Sequence, residues 1–94
     1  MMELHNMLGQ ALLRSDGRQV FNLAGQVIGY IDGARLMALS GRVLLDGIAA
    51  HGLVLAGDDV LDRRDRRVAV VSGGTAAQKQ GLALAFLAFC SDGA

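Results

Sequence analysis

Few side chains in this sequence are equipped for chemistry, and most of them gather in one stretch. Asp46 to Arg67 reads DGIAAHGLVLAGDDVLDRRDRR. An aspartate near a histidine, as Asp46 is to His51, can orient an imidazole. Asp58, Asp59 and Asp62 offer the carboxylate oxygens that hard cations take. Arg63, Arg64, Arg66 and Arg67 have the forked guanidinium that suits phosphate. Each feature also has a plainer reading. The aspartate spacing is not that of a calcium loop. The arginines are interleaved with carboxylates, so the local charge nearly cancels, as in a solvated hairpin end cross-linked by ion pairs. His5 and His51 are the only histidines, and neither has a His or Cys at metal-ligand spacing. Ser15, Ser40 and Ser72 sit beside turn glycines, where a small residue is expected anyway. Cys90 lies in an apolar tail with no cationic neighbour to activate a thiol. No nucleophile, base and orienting group fall into a pattern. The sequence therefore carries no expectation of a catalytic residue, a cofactor or a metal. Its possible ligand residues are Asp46, His51, Asp58, Asp59 and Asp62.

Composition narrows the classes. The chain has 94 residues, 52% of them hydrophobic and 19% charged. That is much apolar material for one small domain, and it points to a closed core or to surface shared with a second subunit. Nine basic and nine acidic residues cancel. A balanced chain lacks the basic footprint of a nucleic-acid or anionic-membrane binder, so neither partner is expected. Aromatic residues are 4% with no Trp, leaving little to stack on bases. One cysteine builds no disulfide framework. The opening MMELHNMLGQALLRSDG lacks the pattern of a signal peptide. The longest apolar run, Leu82 to Cys90, is nine residues and too short for a bilayer. A reducing, cytoplasmic setting is the expectation.

These residues must be held by short, regular elements. Gly recurs at 9, 25, 41, 57 and 73, sixteen apart each time, with Gly17 and Gly33 between, each after an Asp. A step of eight suits a strand of about six residues and a two-residue turn. Asp-Gly tolerates the positive φ of such turns. Connections this short join antiparallel neighbours. Two-residue turns at Asp16-Gly17 and Asp32-Gly33 would set Leu12 opposite Phe21, Leu13 opposite Val20 and Ile28 opposite Met37. The same grid sets Asp46 opposite His51 and Asp62 opposite Arg67. Strand centres are apolar on both faces, without simple alternation.

The repeat resembles that of four-fold beta flower proteins, small bacterial proteins whose short hairpins follow one another as petals about a pseudo-four-fold axis. The family's motif is an aromatic or apolar residue, Asn or Asp, two residues, Gly, a polar residue, then apolar ones. Here it reads HNMLGQALL, FNLAGQVIG, MALSGRVLL and, less faithfully, LDRRDRRVAV. Its key positions are Gly9, Gly25, Gly41 and Asp65. The first three are sixteen apart and the fourth lies twenty-four further on, which makes the third petal enlarged. The resemblance covers residues 3 to 74 and implies a fold; it implies no active site.

The tail differs. Thr75 and Gln78 have the form of a capping box, followed by LALAFLAFC, rich in helix formers. A helix from residue 75 is favoured; the rival is a strand, because Leu82, Leu84 and Phe86 alternate with Ala. The expected fold is thus mainly β, a meander of antiparallel hairpins over residues 1–74, with a C-terminal helix and tail over 75–94. Apolar all round, the tail is expected to pack as a helix across the petals and, with its remaining apolar face, to join subunits through Leu82, Leu84, Phe86, Leu87 and Phe89, as a two-fold homodimer first; the alternative is a monomer whose helix caps an open end of its own β-structure. The expected function is a structural or protein-interaction module and not an enzyme. The alternative is a small-molecule binding protein or enzyme with its site at the irregular third petal, 46–62.

Overall fold

The computed structural model describes residues 1–90. The expected tail to residue 94 thus lies partly outside the described residues. The chain forms β1 (Met2–His5), β2 (Ala11–Ser15), β3 (Gln19–Phe21), β4 (Val27–Asp32), β5 (Arg35–Met37), β6 (Val43–Asp46), β7 (Val54–Ala56), β8 (Asp59–Leu61), β9 (Arg67–Ser72) and α1 (Ala76–Phe89). All strands lie in one antiparallel sheet, ordered β6-β5-β4-β3-β2-β1-β9-β8-β7. The protein is mainly β with a C-terminal helix, and the helix, not the rival strand, occupies the tail. No helix among the described residues is long and apolar enough to cross a membrane.

Four turns share one design. In each, the first residue's N–H donates to the carbonyl four residues on, and its carbonyl accepts from the N–H three residues on. The pairs are Asn6 with Gln10 and Gly9, Asn22 with Gln26 and Gly25, Ala38 with Arg42 and Gly41, and Asp62 with Arg66 and Asp65. The residue closing each inner bond has positive φ: 80° at Gly9, 83° at Gly25, 90° at Gly41 and 58° at Asp65. Asp is among the few residues that tolerate this region. Three of the four first residues add a side-chain acceptor. Asn22 Oδ1, for example, takes the N–H groups of Ala24 and Gln26 at 3.0 and 2.9 Å.

Each turn is followed by a bulge. The pairing slips between Leu4 and His5, Val20 and Phe21, Leu36 and Met37, and Val60 and Leu61. The skipped residues are Leu12, Ile28, Leu44 and Val68, and all four pack against the core. A bulge re-aims one side chain and sharpens local twist. Two adjacent residues, such as Leu12 and Leu13, can therefore both serve the interior. This is why apolar residues crowd strand centres without alternating.

The expected registers are off by two. Phe21 faces Arg14 and Val20 faces Ser15, not Leu12 and Leu13. The reason is a wider loop: Asp16 Oδ1 accepts from the N–H groups of Arg18 and Gln19 and holds that corner open. Met37 faces Tyr30, not Ile28, because Asp32 pairs with Arg35 and the turn is Gly33-Ala34. Gly33 has φ 59° and Ala34 is not in the positive region, the pattern of a type II′ rather than a type I′ turn. A shift of two keeps every side chain on its face.

The sheet curls around α1, which contacts β1, β2, β4, β5, β6, β7 and β9. Leu82, Ala83, Leu84 and Ala85 are completely buried. Four consecutive buried residues point in all directions from a helix, so protein encloses it on every side. Burying a Leu is worth about 1.5–3 kcal/mol, and the sheet's inner residues Leu4, Val20, Leu36, Val60 and Val71 are equally buried. Thr75 Oγ1 accepts from the Gln78 N–H at 3.2 Å while Gln78 Oε1 accepts from the Thr75 N–H at 2.9 Å, so the capping box starts the helix as expected. Sheet and helix share one core. Leu82 and Leu84, expected between subunits, are spent inside the chain.

Candidate functional site

The regular plan breaks between the third and fourth turns. β6 and β7 are the two ends of the sheet and do not pair. The segment between them climbs the seam without strand hydrogen bonds. Ile48 and Leu53 are buried there, and a single 3-10 turn at Ala49–His51 is closed by Gly52, whose φ of 75° lets its N–H reach the Ala49 carbonyl. At the end of the seam where α1 emerges, a cleft of about 680 Å³ remains. Leu44 and Leu45 line it from β6, Ala50 and His51 from the 3-10 turn, Arg63 from the fourth turn, and Leu87, Ala88 and Phe89 from α1. Its volume is within the range of small-ligand sites.

Six of these eight lining residues are apolar, and the polar ones are His51 and Arg63. Arg63 lies across Gly52: a Cβ at Gly52 would be 2.6 Å from Arg63 Cγ and closer still to Nε. Arg63 and His51 also border a shallower polar groove with Asp62, Arg64 and Arg66. Three other basic groups of this region are matched. Arg66 pairs with Asp62 at 3.2 Å, Arg67 with Asp59 at 3.5 Å and Lys79 with Asp58. Arg63 and Arg64 make no ion pair among the described residues, and of the two only Arg63 lines the apolar cleft.

The two cross-strand pairs expected here do not form. Asp46 faces Arg35 rather than His51, because β6 ends the sheet and has no partner on its other side. Asp62 bonds Arg66 within its own turn, and Arg67 faces Leu61 across the strands. Asp62 Oδ1 accepts the N–H groups of Arg64 and Arg66 at 2.8 and 3.0 Å. Those bonds, led by that from Arg66, hold its carboxyl below the ordinary value despite some desolvation. Of the five expected ligand residues, His51 lines the cleft and Asp62 the adjoining groove. Asp46, Asp58 and Asp59 line neither, and the aspartates do not converge. Among the described residues no three His, Cys, Asp or Glu side chains are placed to hold a metal ion.

What the sequence reading missed is the convergence of Leu44, Leu45, Leu87 and Phe89 on His51 and Arg63. The twenty-four-residue step between the third and fourth turns was its visible trace. Chemically the cleft can shelter an apolar body and donate hydrogen bonds to an anionic group; its lining includes no carboxylate or hydroxyl side chain. Compared with protein-family models, curated proteins and solved structures, the chain matches none.

Proposed function

We propose that this chain is a small binding module whose ligand is an amphipathic anion, seated in the cleft at the open seam. The observation that carries the reading is Arg63, a guanidinium without an ion-pair partner among the described residues, lining the same cleft as Leu44, Leu45, Leu87 and Phe89. His51 supplies a second polar group beside it. No chemical step is assigned to the site. The recurring turn supports kinship with four-fold beta flower proteins. A cytoplasmic setting is part of the proposal and fits a chain whose single cysteine cannot close an internal disulfide.

A specific observation favours a second reading as an interaction module. Phe86, Leu87 and Phe89 keep part of their surface, and two of them line the cleft. A two-fold dimer through these residues would cover the site, so ligand and second subunit would compete.

Titration calorimetry with decanoate, against decanol as the uncharged control, tests the proposal. Saturable one-to-one binding of decanoate is expected, weakened roughly ten- to hundredfold in Arg63→Met, as for loss of a hydrogen bond to a charged group. Absence of binding, or equal affinity of the variant, overturns it.

A further inference from the structure

The balanced net charge, from which no membrane partner was expected, hides an uneven surface. β1, β3, β5 and β8 run one way and their partners return, so the turns at 6–10, 22–26, 38–42 and 62–66 all project from one end of the sheet. Among the described residues seven large apolar side chains are exposed, and six belong to this end. Met7, Leu8, Leu23 and Leu39 occupy turn tips, Val43 follows the third turn, and Val54 opens β7. Leu8 is 84% exposed, Leu39 57% and Leu23 56%. The same four turns carry Arg42, Arg63, Arg64 and Arg66 against Asp62 and Asp65, and Arg66 already binds Asp62. The opposite end carries Asp16, Asp32, Asp46, Asp58 and Asp59, with Arg35 paired to Asp32, Lys79 paired to Asp58 and Arg18 next to the Asp16 corner, so acidic groups outnumber basic ones there.

We infer that the turn end docks on an anionic lipid surface, with Leu8, Leu23 and Leu39 inserted at the headgroup boundary and Arg42 and Arg64 against lipid phosphates. Two features favour a fluid surface over a protein face. The apolar side chains sit on separate projecting tips divided by glycines and polar turn groups, not on a continuous patch. Lipid fills the spaces between such tips, whereas a rigid partner would have to match each one. The charge also favours an anionic surface: Arg42 and Arg64 stand at this end without an ion pair among the described residues, while Asp16, Asp32, Asp46, Asp58 and Asp59 lie toward the other end. Interfacial binding of this kind grows with inserted apolar area and with attraction to anionic headgroups.

Co-sedimentation with vesicles decides the point. The intact chain is expected to pellet with phosphatidylglycerol-phosphatidylcholine vesicles, less with phosphatidylcholine alone, and less as salt rises. Leu8→Ser, Leu23→Ser and Leu39→Ser combined should abolish pelleting. Arg42→Gln and Arg64→Gln should each weaken it up to about fivefold on the anionic vesicles only. These side chains are exposed, and circular dichroism and a melt verify that each variant is folded. The inference is overturned if the wild type ignores anionic vesicles or if the triple variant binds as well. It is equally overturned if light scattering shows that the three leucines join two copies of the chain while vesicles leave it in solution.

Discussion

Gly81 packs directly on Ile31: a Cβ added to Gly81 would lie 3.1 Å from Ile31 Cγ1 and closer still to Cγ2. Glycine inside a helix costs about 1 kcal/mol relative to alanine. The sequence alone makes Gly81 look like a flaw in α1. The structure makes it a point of close approach between the helix and β4. Gly81→Ala is expected to destabilise despite its better propensity, by about 1–3 kcal/mol of overpacking. Ile31→Ala, which opens a cavity, should cost about 2–5 kcal/mol alone. Together they should cost clearly less than the sum, because the new methyl enters the vacated space. Urea melts of the four proteins measure this, and strict additivity would refute the contact.

The four turns supply an internal comparison. Asn6, Asn22 and Asp62 each add a side-chain acceptor to the same backbone frame, and Ala38 cannot. The frame is nevertheless present at Ala38, whose N–H reaches the Arg42 carbonyl at 2.7 Å. Ala38→Asp should therefore stabilise by about 0.5–1.5 kcal/mol through new bonds to backbone N–H groups. Arg42 would then stand to it as Arg66 stands to Asp62. Asn22→Ala should lose a similar amount. A change of the wrong sign at position 38 in chemical denaturation would show that the backbone frames differ.

Acid should weaken the fold through two carboxylates. Asp16 is held below its ordinary value of 3.8 first by the Gln19 N–H and then by that of Arg18. Asp62 is held below 3.8 first by the Arg66 N–H. A carboxyl with a lower pKa in the folded state binds protons less readily there than in the unfolded chain. Its stabilisation is present above the unfolded value and is lost as pH falls through the folded one. Asp16→Asn with Asp62→Asn keeps the acceptors but removes the titration. The variant's melting temperature should fall less steeply than the wild type's between about pH 6 and pH 2.5. Parallel curves would assign the acid limb to other groups.

The sequence revealed the architecture better than the registers. Gly9, Gly25 and Gly41 mark real turns because positive φ leaves few alternatives to glycine. Thr75 and Gln78 mark the helix start because the capping box is local in sequence. Register depends on loop width, and that was decided by the Asp16 side chain and by a turn placed at Gly33-Ala34. Neither can be read from an Asp-Gly pair alone. The apolar pairs Leu12-Leu13, Leu44-Leu45 and Val68-Ala69 concealed three of the four bulges, since a bulge and a two-sided core leave the same pattern. The tail's all-round apolarity was visible, and so was its packing across the petals; that the curled sheet would bury Leu82 and Leu84 completely was not. The cleft was hidden for the same reason, because it joins residues from β6, the fourth turn and α1 that only the curling brings together.

The last prediction separates stability from binding at the seam. Gly52 combines φ of 75° with the Arg63 side chain lying where a Cβ would be. Gly52→Ala meets both constraints, and they differ in kind. A left-handed backbone costs a non-glycine residue about 1–2 kcal/mol, and this cost appears in the melt. Arg63 is exposed and long, so moving it is cheap in stability but carries its guanidinium away from the cleft. Gly52→Ala should therefore lose a modest amount of stability and a larger share of decanoate affinity. In an Arg63→Met background the same substitution should still lower the melting temperature but take little further affinity. If it weakens decanoate binding equally with and without Arg63, the effect runs through the 3-10 turn and His51, and Arg63 is not the group that Gly52 positions.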